Sequence, residues 1–191
     1  MNWRHSLALA VLATELSAAQ AVEFNQLQLN KSALSFVSKQ MNVPVEGQFK
    51  SFRSKLAFDP AKPAAAKAEL EIDLASIDAG SKDANDEVAN KAWFDTRAFP
   101  VAKFVSTSFK SLGGNRYEVA GRMTIKGRTL DLTTPVTLRQ EGNSATFEGG
   151  LALKRADYGI GEGMWADFGT VANEVQVKFR LVATAATAAA K

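Results

Sequence analysis

The chain predicts an all-β fold, and three observations carry that reading. Apolar and polar residues alternate with period two over most of its length, as side chains do on the two faces of a strand. The interruptions are short and built from Gly, Asn and Pro, the residues of tight turns. Only residues 81–92 read as a helix, so there is no strand–helix alternation from which to build a parallel sheet.

Taken in order, an early strand runs from about Val45 through Phe49, Phe52, Leu56 and Phe58 and ends at Asp59-Pro60. Residues 67–74 alternate without a fault, with Ala68, Leu70, Ile72 and Leu74 on the apolar face. The helical stretch, Ser81 to Ala92, is polar, and Asp83, Asp86 and Glu87 near its start suit the positive end of the helix dipole. Tyr117, Val119, Gly121, Met123 and Ile125 share the next face, and Leu130, Leu132, Thr134, Val136 and Leu138 repeat it. Ala145, Phe147, Gly149, Leu151 and Leu153 form another, and the last strand shows Val171, Val175, Val177, Phe179 and Leu181. Turns at 113–115, 126–128 and 141–143 join neighbours as antiparallel hairpins. Residues 183–191 read as a frayed Ala/Thr tail. Eight or so antiparallel strands must hide their edges, which a closed barrel and a sandwich both do.

The amino terminus sets the expected compartment. Arg4 supplies a positive start, residues 7–13 a short apolar core, and Ala19-Gln20-Ala21 a small-residue cleavage site. Residues 1–21 thus read as a secretory signal peptide cut before Val22. The apolar run is shorter than the ~20 residues a membrane span needs, and no integral membrane span is expected. No Cys follows the cleavage site, which argues against a lipid-anchored form. The expected organisation is a leader (1–21), one β-domain (22–182) and a flexible tail (183–191), with a homodimer as a candidate assembly.

Composition removes most catalytic chemistry. The chain has one His, at position 5 inside the leader, and no Cys. A Ser-His-Asp triad, a Cys nucleophile and a Cys/His metal cage therefore have no residues to be built from. No metal or cofactor is expected. The net charge is only +3, with Lys and Arg scattered among Asp and Glu, so no basic stripe for nucleic acid forms. Gly159, Gly161 and Gly163 resemble a phosphate-binding loop, but no helix follows them, and backbone freedom at a rim is the better account.

Five units in register then carry a resemblance. They are Ser35-Phe36 with Val45-Glu46-Gly47-Gln48-Phe49, the run 58–63, Trp93-Phe94-Asp95 with the run 99–104, the run 117–127, and Arg155-Ala156-Asp157-Tyr158-Gly159-Ile160-Gly161 ending in Trp165. Their order and spacing resemble the YceI-like family of bacterial periplasmic proteins, from about Val22 to Val182. That resemblance implies a lipocalin-like antiparallel β-barrel of about eight strands with one accessory α-helix. It also implies a periplasmic location and an elongated apolar pocket for a polyisoprenoid or similar lipid. Lys39 stands near where many relatives carry a histidine, so no role of that histidine transfers.

The expected function is therefore a binder, carrier or reservoir, rather than an enzyme. Candidate lining residues are Phe36, Phe49, Phe52, Leu70, Ile72, Phe104, Met123, Leu151, Trp165, Val175 and Val177. Trp165 leads them because it lies in a Gly-rich loop rather than mid-strand. Arg155 and Lys126 are candidates for an anionic head group at the mouth. The alternatives are a carboxylate-based hydrolase or isomerase using Asp157 and Asp167, and an envelope stress protein whose barrel holds no ligand.

Overall fold

The structure, a computed structural model, describes residues 22–186; the expected leader and residues 187–191 of the expected tail lie outside it. The alternating segments become strands β1 (Phe24–Leu27), β2 (Ala33–Gln40), β3 (Val43–Phe49), β4 (Phe52–Ala57), β5 (Lys67–Asp73) and β6 (Ile77–Asp78). After helix α1 (Lys82–Ala89) come β7 (Val101–Gly113), β8 (Arg116–Ile125), β9 (Arg128–Glu141), β10 (Ser144–Lys154) and β11 (Glu174–Ala185). All join one antiparallel sheet in the order β4-β5-β7-β8-β9-β10-β11-β2-β3-β6, with β1 added to β11. The sheet curls into a half-barrel, the lipocalin-like fold expected.

The count of eleven strands exceeds the expected eight for two physical reasons. β1 and β6 have 4 and 2 residues, too few to display a period. The single early strand is also two strands, β3 and β4, broken at Lys50-Ser51. Phe49 and Phe52 are an odd number of residues apart, so one continuous strand could not turn both inward. The break lets β3 pair with β2 and β6 while β4 pairs with β5.

That break is also where the barrel seam lies. β3 passes into β4, and β5 into β6, so the chain itself crosses from one end of the sheet to the other. Backbone bonds fasten the crossing: Lys50 N–H donates to Ser76 O at 3.1 Å and Asp73 N–H to Ser51 O at 3.0 Å. At the other end β1 closes the seam. It pairs with β11, and Phe24 and Phe58 exchange backbone bonds of 2.9 and 3.2 Å.

α1 is shorter than expected. Ser81 caps it by accepting from Ala84 N–H at 3.1 Å. The chain leaves the helix at Asn90 and turns Trp93 inward, with Trp93 N–H bonded to Asn90 O at 2.9 Å. β11 is longer than expected. Ala183 and Ala185, placed in the tail by composition, are buried strand residues facing β10 and β1. Small side chains fit there because Phe24 and Phe58, both fully buried, fill that end of the barrel. Phe58 meets Tyr117, Phe109 and Phe147 at ring centroids of 5.4, 6.1 and 5.1 Å, two of the contacts edge-on. This aromatic plug forms one core cluster. A second gathers around Leu34, Ile72, Leu74, Trp93, Met123, Tyr158 and Ile160 at the α1 end.

Candidate ligand-binding site

Between the two clusters the sheet encloses a cavity of about 510 Å³, within the range of small-molecule sites (~300–1,000 Å³). Its wall is built by the alternation itself. Leu34 and Phe36 from β2, Val45 and Phe49 from β3, and Leu70 and Ile72 from β5 face it. Phe104, Met123, Leu151, Val175, Val177 and Phe179 continue the wall around β7, β8, β10 and β11. Val175 and Val177 are only half-buried although they point inward, because the surface they expose is the cavity's own.

Ten of the eleven residues singled out in the sequence stand on this wall; contact with a ligand is a separate matter. Phe52 does not. It sits at the β3–β4 corner and packs into the α1-end cluster, 9% exposed, with no face on the cavity. Ser54 and Leu56, the next inward positions of β4, take its place. Sequence reasoning missed Trp93, Phe147 and Phe179 as wall residues, although Phe147 and Phe179 lay on apolar faces already recognised.

Three aromatic rings owe their position to glycines on neighbouring strands. Phe36 lies over Gly47, Phe104 over Gly121 and Phe179 over Gly149. A Cβ at those glycines would come within 2.2, 2.3 and 2.4 Å of the ring carbons, closer than atoms can approach. Each ring is thus laid flat against the sheet, which lines the barrel with aromatic surface without filling it. Phe104 and Phe109 both face inward although five residues apart, because β7 carries a bulge between Ser106 and Ser108.

The mouth is formed by α1, the end of β2 and the loop after β10. Arg155 organises that loop. It is 3% exposed, and its five N–H groups donate to five backbone carbonyls: Ala172, Ile160, Gly161, Trp165 and Val171, at 2.7–3.1 Å. Its guanidinium also lies 5.4 Å from the Trp93 ring and 5.3 Å from Phe168. Burial pushes its pKa down, yet a guanidinium starts so high that it stays charged near neutral pH. Gly161 makes room for it: a Cβ there would sit 2.0 Å from Arg155 Nη1.

These contacts correct the reading of Arg155 and Lys126 as head-group ligands. Arg155 has no N–H left to offer. Lys126 is off the cavity wall and donates to Lys91 O at 2.8 Å, Gly159 O at 2.7 Å and Glu162 Oε2 at 3.2 Å, tying the β8–β9 hairpin to the mouth loop. Trp165 hooks the loop to the helix, its Nε1–H donating to Glu87 Oε1 at 2.8 Å. The carboxylates proposed for hydrolysis are not on the cavity wall either. Asp167 is exposed and turns its own loop, accepting from Gly169 N–H at 2.9 Å and Thr170 Oγ1 at 3.2 Å; these bonds hold its carboxyl below the usual range.

A curled antiparallel sheet around a plugged, apolar cavity is a lipocalin-like architecture. The chain belongs to the YceI-like family: the family model described as "YceI-like domain" matches residues 26–183. A "UPF0312 protein" of Pseudomonas savastanoi pv. phaseolicola is 31% identical over 168 residues, covering 82% of this chain and 88% of its own length. The crystal structure of Burkholderia cenocepacia BcnA superposes with a TM-score of 0.81 at 51% identity, covering 83% of this chain and 100% of that one. A polyisoprenoid binding domain from Saccharophagus degradans, described as implicated in plant cell wall breakdown, has a TM-score of 0.66 at 21% identity, over 87% of this chain and 100% of its own. At that identity it shows a shared fold.

Proposed function

We propose that this protein is a periplasmic binding protein that holds a polyisoprenoid or similar amphiphilic lipid in the barrel, as a carrier or reservoir. The observation that carries this reading is the cavity: about 510 Å³, built in advance by the fold, and walled almost entirely by hydrocarbon and aromatic side chains. Such a wall offers a prenyl chain everything it can use. Burial yields about 0.8 kcal/mol per carbon group, so a twenty-carbon tail gains roughly 16 kcal/mol. That outweighs an association cost of about 4–15 kcal/mol, the more so because little of the site has to be ordered on binding.

The polyisoprenoid binding domain of S. degradans, which shares the fold, supports the same ligand class. Catalysis finds no support in the cavity, where Asp83, Glu87 and Arg155 are the only charged residues among the described residues that line it, and Arg155 is fully engaged. Mass spectrometry of lipids extracted from the purified native protein tests the reading. A stoichiometric prenyl lipid is expected, and an empty protein that takes up no prenyl lipid in vitro would overturn it. Location is tested separately: intact-mass analysis of the exported protein should show a chain starting at Val22.

A further inference from the structure

Four large apolar side chains stand in the open around the mouth of the cavity. Met41, Val43, Met164 and Phe168 are between 49% and 83% exposed. They come from two segments that the backbone ties together, the β2–β3 turn and the loop after β10. Met41 N–H donates to Thr170 O and Ala172 N–H to Lys39 O, both at 2.9 Å, and Gln40 forms a bridge with Val171. Each segment carries the cavity wall outward. Gln40 and Trp165 line the cavity, and their chain neighbours Met41 and Met164 lie just beyond it. On β3, alternation puts Val43 on the face of Val45 and Phe49, both wall residues, one step past the wall. The inner apolar surface therefore runs out over the rim instead of ending at it.

Folding does not account for this arrangement. Side chains so exposed gain little from burial. Met41 has φ 48° and Asn42 φ 65°, the left-handed pair of a two-residue hairpin turn, where Asn, Asp and Gly are favoured and a long apolar side chain is not. The charges beside the four residues are Lys39, Asp167 and, on the mouth wall, Asp83, with no block of one sign to select a charged partner. Apolar side chains at loop tips, two of them the flexible Met, suit a fluid apolar phase. Among the described residues no helix is long and apolar enough to cross a membrane, so a lipid passing between barrel and bilayer needs a surface contact instead.

We propose that this rim is a membrane-docking surface: Met41, Val43, Met164 and Phe168 insert into the surface of a zwitterionic phospholipid bilayer and turn the mouth toward it. The choice of a bilayer over a protein as the occupant rests on the lipid-binding reading, which it deepens by naming where the lipid is exchanged.

Sedimentation with phosphatidylcholine vesicles should carry the protein down. Neither raised salt nor added phosphatidylglycerol should change that much, since inserted apolar area rather than charge holds the protein. Met41→Asn/Met164→Gln should weaken vesicle binding roughly ten- to hundredfold, the value of burying about half of each Met side chain. The same variant should keep its Tm, Asn being the better residue at φ 48°, and should bind a twenty-carbon prenyl alcohol in solution as before, because neither Met lines the cavity. Leu112→Gln removes an exposed apolar side chain from the β7–β8 hairpin at the plug end and should leave vesicle binding unchanged. A protein that binds the prenyl alcohol but no vesicles, or a double variant that binds vesicles as tightly as the unmutated protein, would overturn the docking surface and leave the lipid reading standing. Vesicle binding without uptake of the prenyl alcohol would uphold the docking surface and overturn the lipid reading. A dimer in sedimentation velocity that the double variant dissolves would assign the rim to a second copy of the chain and overturn the membrane as its occupant.

Discussion

Ala68→Phe asks whether the barrel holds a real cavity or a loosely drawn core. Ala68 lies on β5 opposite Leu56 of β4, half-buried and facing the cavity beside Leu70 and Ile72. Its backbone N–H is bonded to Ser106 Oγ at 2.8 Å, which fixes the position and leaves the side chain free to change. Phe adds six carbons at that point. In a filled core such overpacking costs about 1–3 kcal/mol, and for a domain of this size each kcal/mol lowers Tm by about 2–4 °C. In an open cavity of about 510 Å³ the ring finds space, and the fall in Tm should stay within about 2 °C. The ligand bears the cost instead. If the ring displaces about six buried ligand carbons at about 0.8 kcal/mol each, binding weakens by up to about 5 kcal/mol, or roughly 3,000-fold. Thermal melting by circular dichroism and titration with a twenty-carbon prenyl alcohol, followed by Trp fluorescence, read the two effects separately. A Tm drop of 6 °C or more would show that the core was already full. An unchanged Kd would show that the probe binds elsewhere.

Other substitutions probe how the wall and mouth are held. Gly121→Ala puts a methyl 2.3 Å from the Phe104 ring and 2.6 Å from Val105 O, so a loss of about 1–3 kcal/mol is expected in chemical denaturation; unchanged stability would mean that the ring is not seated there. Arg155→Met leaves five carbonyls without their donor, and a loss of 3 kcal/mol or more should appear in the same measurement. Asp157→Asn with Asp167→Asn should leave lipid binding intact, since neither carboxylate is on the cavity wall; a lost turnover of any assayed ester or glycoside would reopen the hydrolase reading. On the outer face, the hydrogen bond from Lys103 lowers the Glu69 pKa, and the bonds from Arg53 and then Lys103 lower that of Glu71. Carboxyls depressed in the folded state stabilise it above their unfolded pKa and lose that contribution as pH falls, here below about pH 4. Tm measured from pH 6 to 3 should fall less steeply in Glu69→Gln/Glu71→Gln, and identical slopes would show the pairs to be energetically silent.

The long hairpins were legible because they obey one rule over many residues. β8 alternates without interruption from Tyr117 to Ile125, and the structure buries those same five positions. What escaped was where the rule is broken. β7 contains a bulge that shifts its inward set between Phe104 and Phe109, so its thirteen residues show no clean period. The β3–β4 corner falls at Lys50-Ser51, where no Gly or Pro marks a turn, and this is why Phe52 was read as wall when it is core. β1 shows no pattern because its role, sealing the seam through Phe24 and Phe58, lies in partners distant in the chain. The site was half legible for the same reason. Inward faces can be read from alternation, but the fate of a polar group depends on which chain segment returns to meet it. Arg155 looked available in the sequence because nothing local reveals that its own loop folds back to present five carbonyls.

A cavity this apolar should tend to collapse, since wall atoms that face a void lose their contacts. Two features oppose that collapse. Phe36, Phe104 and Phe179 each rest on a glycine of the adjacent strand, so the ring's contact energy is satisfied against the sheet rather than across the barrel. Moving one of them inward would strip it from backbone it already touches and gain only another mobile side chain. At the mouth, Arg155 holds its loop through carbonyls spread from Ile160 to Ala172, while Trp165 fastens that loop to α1. The loop cannot sink into the barrel without breaking those bonds and leaving the buried guanidinium and its carbonyls unpaired. The residues that give the fold its stability, Phe24 and Phe58 at the plug and Arg155 at the mouth, are therefore concentrated at the two ends. The middle of the barrel is left lined rather than filled, which the proposed lipid-binding role requires.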